Sequence, residues 1–168
     1  MESKQIEILD KKLIDQKITR IACQILEENT GEKEVIFIGI KENGVKLARK
    51  LKAIIEQRKD FNIQMYEMSI SKKKPHENEI SFDRDLENLN GKIIILVDDV
   101  ANTGKTLAFA IKPFLKYLPK KIQIAVLVDR QHKMFPVKPD FVGFSLSTTV
   151  QEHIKVMLEE GSEKAYLS

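Results

Sequence analysis

Ile93-Ile94-Ile95-Leu96-Val97, followed by Asp98-Asp99-Val100-Ala101-Asn102-Thr103-Gly104-Lys105-Thr106, decides how the rest of the chain reads. The apolar run is too short for a helix and shows no polar alternation. It has the pattern of a strand covered on both faces, and so of a parallel sheet. After the polar loop, Leu107, Ile111, Phe114 and Leu118 repeat at i, i+4, i+7 and i+11, which predicts a helix. Pro113 should kink that helix or end it early, because proline lacks an N–H and its ring clashes with the preceding turn. Strand, loop and helix in this order form half of a βαβ unit. In open sheets of such units, ligands bind beyond the carboxyl ends of the strands.

Working outward, Ile14, Ile18, Ile21 and Ile25 share one helical face, which predicts a helix over 10–29 with Gly31 as a stop signal. The run 35–40 is a second buried strand. The loop Lys41-Glu42-Asn43-Gly44 leads into helical spacing at Leu47, Leu51, Ile54 and Ile55. Ile63, Met65 and Met68 suggest another strand, and 122–128, 141–144 and 154–158 complete the set. The stretch 69–90 is dense in charge, contains Pro75 and has little periodicity, so it reads as a long mobile loop. Strands alternate with helices and there are no repeats or linkers, so the expected organisation is one α/β domain over 1–168.

Composition agrees. A chain of 168 residues, 42% hydrophobic, suits a single globular core. The one cysteine, Cys23, excludes an internal disulfide, suits a reducing compartment and lies on a helical apolar pattern, as a small core residue would. The 28 basic and 25 acidic residues leave +3, a field too weak to announce a nucleic acid or a membrane. The whole excess falls in 111–140, with seven basic against two acidic residues. Residues 1–12 alternate charges with isolated apolar residues, unlike a signal or transit peptide. No apolar run approaches the roughly 18 residues a membrane span requires, so a cytoplasmic protein is expected.

The chemistry is concentrated at 98–106. Thr103, Gly104, Lys105 and Thr106 offer hydroxyls, a flexible backbone and a cation at a helix start, the parts of a phosphate cradle. Gly104-Lys105-Thr106 fails as a nucleotide P-loop, because that motif needs glycine at position 99, where this chain has Asp. Two adjacent carboxylates remain beside a phosphate nest, able to bond vicinal hydroxyls or hold a divalent ion. The ligand implied is a sugar phosphate. The same residues also suit a strand-end turn and a helix cap.

The segment 97–106 resembles the phosphoribosyl pyrophosphate signature of the type I phosphoribosyltransferases. Ile8-Leu9-Asp10, Arg20-Ile21-Ala22, Ile38-Gly39-Ile40-Lys41, Ala125-Val126-Leu127-Val128-Asp129-Arg130 and His132 are similar to the pyrimidine operon attenuator and uracil phosphoribosyltransferase family. The resemblance runs over about 8–158. It implies a parallel-sheet type I phosphoribosyltransferase fold, a Rossmann-like three-layer core with a small hood from the terminal segments. The implied reaction moves ribose 5-phosphate from phosphoribosyl pyrophosphate to a nucleobase, with Mg2+ carried by the cosubstrate rather than by protein ligands alone.

By the same resemblance, Asp98 and Asp99 hold the ribose 2- and 3-hydroxyls as the catalytic pair, and Ala101, Asn102, Thr103, Gly104, Lys105 and Thr106 bind the 5-phosphate. Lys41, Glu42, Asn43 and Gly44 form the pyrophosphate loop, and 69–90 closes over the diphosphate. Asp129, Arg130, Ile154 and Lys155 surround the base, with Ile154 stacking on it and the Lys155 backbone reading its edge. Purine-specific relatives usually have lysine where this chain has Asp129, which leans the reading toward a pyrimidine, and the base expected is uracil. The resemblance also implies at least a homodimer. Some relatives regulate pyrimidine genes by binding RNA. Thr19 and Arg20 match those regulators, but Cys23 replaces a histidine and Phe144 a lysine. Two departures bear on activity: Asn43 stands where the family commonly has arginine, and Tyr66-Glu67-Met68-Ser69 where it tends to have Tyr-Arg-Asp-Asp. Both remove a bidentate phosphate donor, which leaves weak catalysis or nucleotide sensing as an alternative.

Overall fold

A computed structural model describes residues 5–58, 60–149 and 152–168. The element order is β1 (Ile6–Leu9), α1 (Lys11–Glu28), β2 (Glu34–Ile40), α2 (Asn43–Glu56), β3 (Asn62–Ser69), β4 (Ser81–Phe82), β5 (Ile93–Ala101), α3 (Lys105–Ala110), a 3-10 turn at Lys112–Phe114, β6 (Lys121–Arg130), β7 (Phe141–Leu146), β8 (Ile154–Met157) and β9 (Lys164–Leu167). Six strands form one sheet in the order β4-β3-β2-β5-β6-β7, parallel except for the edge strand β4.

The continuous apolar runs are explained by two buried faces. Val35, Phe37, Ile93, Ile95 and Val97 point to the side covered by α1 and α2, where they join Ile14, Ile18, Leu47 and Leu51. Ile36, Ile38, Ile94 and Leu96 point to the other side, under Leu107 of α3 and Phe114. The central strands β2 and β5 supply both cores through their period of two, so their middles, 35–40 and 93–97, are apolar without interruption. Helix α1 starts where expected: Asp10 caps it by accepting the Leu13 N–H at 2.8 Å, a contact worth about 1 kcal/mol. The second helical pattern is cut short, since α3 ends at Ala110 and Pro113 sits in the 3-10 turn.

Three boundaries differ from the sequence reading. Strand β5 runs to Ala101, pairing Asp98 with Val126, Val100 with Val128 and Ala101 with Asp129, so the two carboxylates sit in the strand rather than in a loop. Asn43 and Gly44 belong to the first turn of α2 rather than to the loop before it. Within 69–90, Ser69 closes β3, residues 81–82 form β4, Leu89 is fully buried, and Ile80, Phe82 and Leu86 pack beneath the second face of the sheet.

The terminal segments form a separate antiparallel sheet, β1-β9-β8, which is the hood. Strands β1 and β9 went unread in the sequence because each has four residues and buries only part of them. The hood packs Leu9, Ile154, Val156, Leu158 and Ala165 onto the α1 and α2 side of the core. Among the described residues, no helix is long and apolar enough to cross a membrane.

Candidate active site

A cavity of about 530 Å3 lies between the carboxyl end of β5, residues 101–107 and the hood strand β8. On one side it is lined by Asp98, Asp99 and the whole segment from Ala101 to Thr106, and on the other by Ile154, Lys155, Val156, Met157 and Tyr166. Sequence reading placed Asp98, Asp99, the phosphate segment, Asn43, Ile154 and Lys155 at one site, and the fold brings all of these together.

The phosphate segment is shaped by Gly104, whose φ of +83° is the left-handed conformation that glycine adopts without a steric cost. Thr103 Oγ1 accepts the Lys105 N–H at 3.3 Å, and the Thr103 carbonyl accepts the N–H groups of Met134 and Phe135. Lys133 ties the segment down from behind, reaching the carbonyls of Ala101 and Asn102 at 3.3 Å each. Gly44 has a different reason to be glycine. A Cβ there would lie 2.5 Å from the Val97 carbonyl oxygen and 3.1 Å from Asp98 Cα, so α2 approaches the carboxylate strand as closely as it does only because the side chain is missing.

Asp98 and Asp99 are buried, at 1% and 8% exposure, yet well bonded. Asp98 Oδ1 accepts the Asp99 N–H at 2.9 Å, and Asp99 Oδ1 accepts the Val100 N–H at 2.9 Å. Asn43 Nδ2 donates to Asp99 Oδ2 at 3.0 Å and to the Val156 carbonyl at 2.9 Å, so one amide bridges β5 and the hood. Lys72 Nζ reaches Asp98 Oδ1 at 3.0 Å and Asp99 Oδ1 at 3.3 Å.

The two acids titrate in opposite directions. Burial, and then the neighbouring Asp99 charge, push the Asp98 carboxyl up to about 8, against the pull of Lys72. Burial also works against ionised Asp99. There the charge of Lys72 and hydrogen bonds from Asp98, Asn43 and Lys72 outweigh it and hold the group below its ordinary value. Burial likewise opposes the charge on Lys72, but the two carboxylates outweigh it and raise that ammonium. Burial thus favours the neutral form of Asp98 while Lys72, Asp98 and Asn43 favour the charge on Asp99, and the two groups titrate as a coupled pair.

Other expected site residues lie elsewhere. Lys41 and Glu42 line a neighbouring cleft with Ser69, Ile70, Ser71 and Glu79. Asp129 pairs with Lys133, and buried Arg130 donates from its guanidinium to the Thr149 carbonyl at 2.6 Å. Neither is among the residues lining the main cavity, and Arg130 instead holds Thr148 and Thr149 in the segment that follows β7. Glu67 also lies off that lining. Its carboxylate pairs with Arg49, and its N–H donates to Asp83 Oδ1 at 2.8 Å. Sequence reading missed Lys72, Val156, Met157 and Tyr166. The lysine run at 72–74 was the one visible signal.

Comparison with known proteins agrees with this geometry. A family model described as the phosphoribosyl transferase domain matches residues 4–160. The chain is 39% identical to a bifunctional protein PyrR of Clostridium novyi over 95% of this chain and 93% of the relative. It is 36% identical to a bifunctional protein PyrR of Staphylococcus saprophyticus over 94% of each. A crystal structure of a hypoxanthine-guanine phosphoribosyltransferase from Bacillus anthracis superposes with a TM-score of 0.73 at 22% identity, covering 89% of this chain and 86% of that one, a likeness of fold.

Proposed function

This chain belongs to the phosphoribosyltransferase family, and from that premise we propose that it transfers ribose 5-phosphate from phosphoribosyl pyrophosphate to a pyrimidine base, uracil first. One observation carries the reading: the adjacent carboxylates and the phosphate segment line one wall of a cavity whose other wall is the hood strand. Asp98 and Asp99 take the two ribose hydroxyls, and the amides and hydroxyls of 101–106 take the 5-phosphate. The bond from C1 to the diphosphate oxygen breaks with its electron pair leaving on pyrophosphate, and a ring nitrogen of the base forms the new bond to C1 as its proton passes to the departing pyrophosphate or to water. Charge on Asp99 lies where it offsets the positive character developing on the sugar, in a site whose burial strengthens the interaction.

The donors present suit magnesium, a hard cation that prefers oxygen ligands. Among the described residues, no group of three or more His, Cys, Asp or Glu gathers to hold a metal, so Asp98 and Asp99 would share it with oxygens of the cosubstrate. When bound, Mg2+ neutralises charge on the departing diphosphate. Base selection falls to Ile154, Lys155 and Val156, with Asp129 as a residue behind the wall. We further propose a cytoplasmic homodimer or higher oligomer, which light scattering tests directly.

A second reading, RNA-binding regulation, draws on the likeness to PyrR proteins. The basic surplus of 111–140 supports it less than its count suggests. Lys120 pairs with Glu32, Lys121 with the Glu28 carbonyl, Lys133 with Asp129, and Arg130 is buried. Arg20 is also engaged, on the Val142 and Gly143 carbonyls. Salt-dependent retardation of a pyrimidine-operon leader, absent with arbitrary RNA, would establish the regulator.

The enzyme reading predicts pyrophosphate release from phosphoribosyl pyrophosphate with uracil and magnesium in a panel of nucleobases. No release with any base, while calorimetry still registers the cosubstrate, would overturn catalysis in favour of a sensor.

A further inference from the structure

The segment between β3 and β4 reaches into the cavity and touches both halves of the ligand-binding wall. Lys72 Nζ lies on Asp98 Oδ1 and Asp99 Oδ1, and all three residues line the cavity. One residue on, the Lys73 carbonyl accepts from Lys105 Nζ at 3.4 Å, which engages the cation of the phosphate segment. Pro75 is buried, and the His76 ring stands 6.3 Å from the Phe109 ring on α3, tilted by 49°. An ammonium therefore meets the carboxylates, and a carbonyl oxygen meets the lysine. This is the charge pattern of a ribose phosphate's partners, answered from within the chain.

We infer that residues 70–77 form an internal strap whose Lys72 and Lys73 occupy the carboxylates and Lys105, so that a sugar phosphate enters only by exchanging with them. The inference rests on the proposed ribose phosphate site and adds an autoinhibitory contact to it. Vicinal hydroxyls must compete with Lys72 for the carboxylate oxygens it bonds, and a phosphate must compete with the Lys73 carbonyl for the Lys105 ammonium. The strap is built to let go. Lys72 is 45% exposed at its side chain, and the bond to Lys73 is long, so each contact is weak enough to yield to a doubly charged ligand. Such a strap keeps water and stray cations off the carboxylates and links cosubstrate entry to movement of the loop above the leaving group.

The test uses ribose 5-phosphate, which fills the carboxylate and phosphate positions but carries no diphosphate, with hydrogen exchange over 70–77 as a second readout. In the wild-type protein this segment should exchange faster once ribose 5-phosphate binds. Lys72→Gln should show the faster exchange without ligand and bind ribose 5-phosphate about threefold to tenfold more tightly, because one charge-assisted contact no longer has to be broken. Lys74→Gln, on a side chain paired with Glu77 within the same loop, should match wild type. Unchanged exchange and affinity in Lys72→Gln, or weaker binding, would overturn the strap while leaving the phosphoribosyl reading in place. Faster exchange in Lys72→Gln with no ribose 5-phosphate binding to either protein would instead overturn the sugar phosphate site and keep only the contact.

Discussion

The wall of the cavity that carries Asp98 and Asp99 hangs from β5, a nine-residue strand in the middle of a six-stranded sheet, whereas the facing wall hangs from β8, a four-residue strand at the edge of a three-stranded one. The first is fixed by apolar burial on two faces, with Ile94 to Val97 fully enclosed. The second has one apolar face and is then held by polar links to the two helices: Asn43 to the Val156 carbonyl, Lys46 to Glu159, and Lys11 and Lys50 to Glu163. Dense packing is bistable or rigid, while half-exposed ion pairs yield for small costs. In the proposed site, the groups assigned to the sugar are on the rigid wall and those assigned to the base are on the one that can adjust.

Removing the chemistry of the rigid wall should have the largest effect. Asp98→Asn with Asp99→Asn keeps the shape and removes the charge opposed to the developing cation, so turnover should fall on the order of a hundredfold or more. Folded Asp98 keeps its proton up to about 8 whereas the unfolded chain loses it near 3.8, so the wild type should lose stability as pH rises through that window and no further above it. The single variant Asp98→Asn should lack this slope. Steady-state rates of the double variant and thermal melts of the single variant between about pH 4 and 9 check both. Near-normal turnover would remove the pair from the mechanism.

Severing the link between the walls should do less. Asn43→Ala removes the bridge from Asp99 to the Val156 carbonyl and should raise the KM for the base about tenfold, more than that for the cosubstrate, as expected when one hydrogen bond to a charged group is lost. Equal changes in both constants would mean that the bridge serves Asp99 alone.

The same contrast explains what could be read from sequence. Strands buried on both faces are continuous apolar runs, and helices α1 and α2 declare their apolar faces at i, i+4 and i+7, so the main sheet was legible. The carboxylates were found, but in a loop, because polarity at Asp98 hides a ladder to β6 that continues to Ala101. The hood strands β1 and β9 are too short and too exposed to register. Lys72 was out of reach for another reason: its partners lie 26 and 27 residues away, and only the tertiary path of the loop brings them together. Glu67, which stands where relatives tend to have a phosphate-binding arginine, is drawn to Arg49 at the flank of α2, a pairing that no local pattern encodes.

The adjustable wall has its own anchor, and it should give the smallest effect. Glu163, 1% exposed, takes Lys50 at 2.9 Å and Lys11 at 3.4 Å, joining the turn before β9 to both helices of the core. The Lys50 hydrogen bond, against some desolvation and with help from Lys11, holds its carboxyl down from 4.5 to about 2. A depressed carboxyl means that the unfolded chain takes up its proton first. The stability contributed is therefore complete above about 4.5 and is lost as pH falls toward about 2. Glu163→Gln should lower the melting temperature by a few degrees, ~3 °C, at neutral pH. The gap to wild type should close as both are titrated through that acid window. A gap that stays constant with pH would assign the effect to the shape of the side chain rather than its charge. In the proposed site the hood is the base wall, so the same variant should change the KM for the base while leaving cosubstrate affinity alone, which separates a loosened hood from a weakened core.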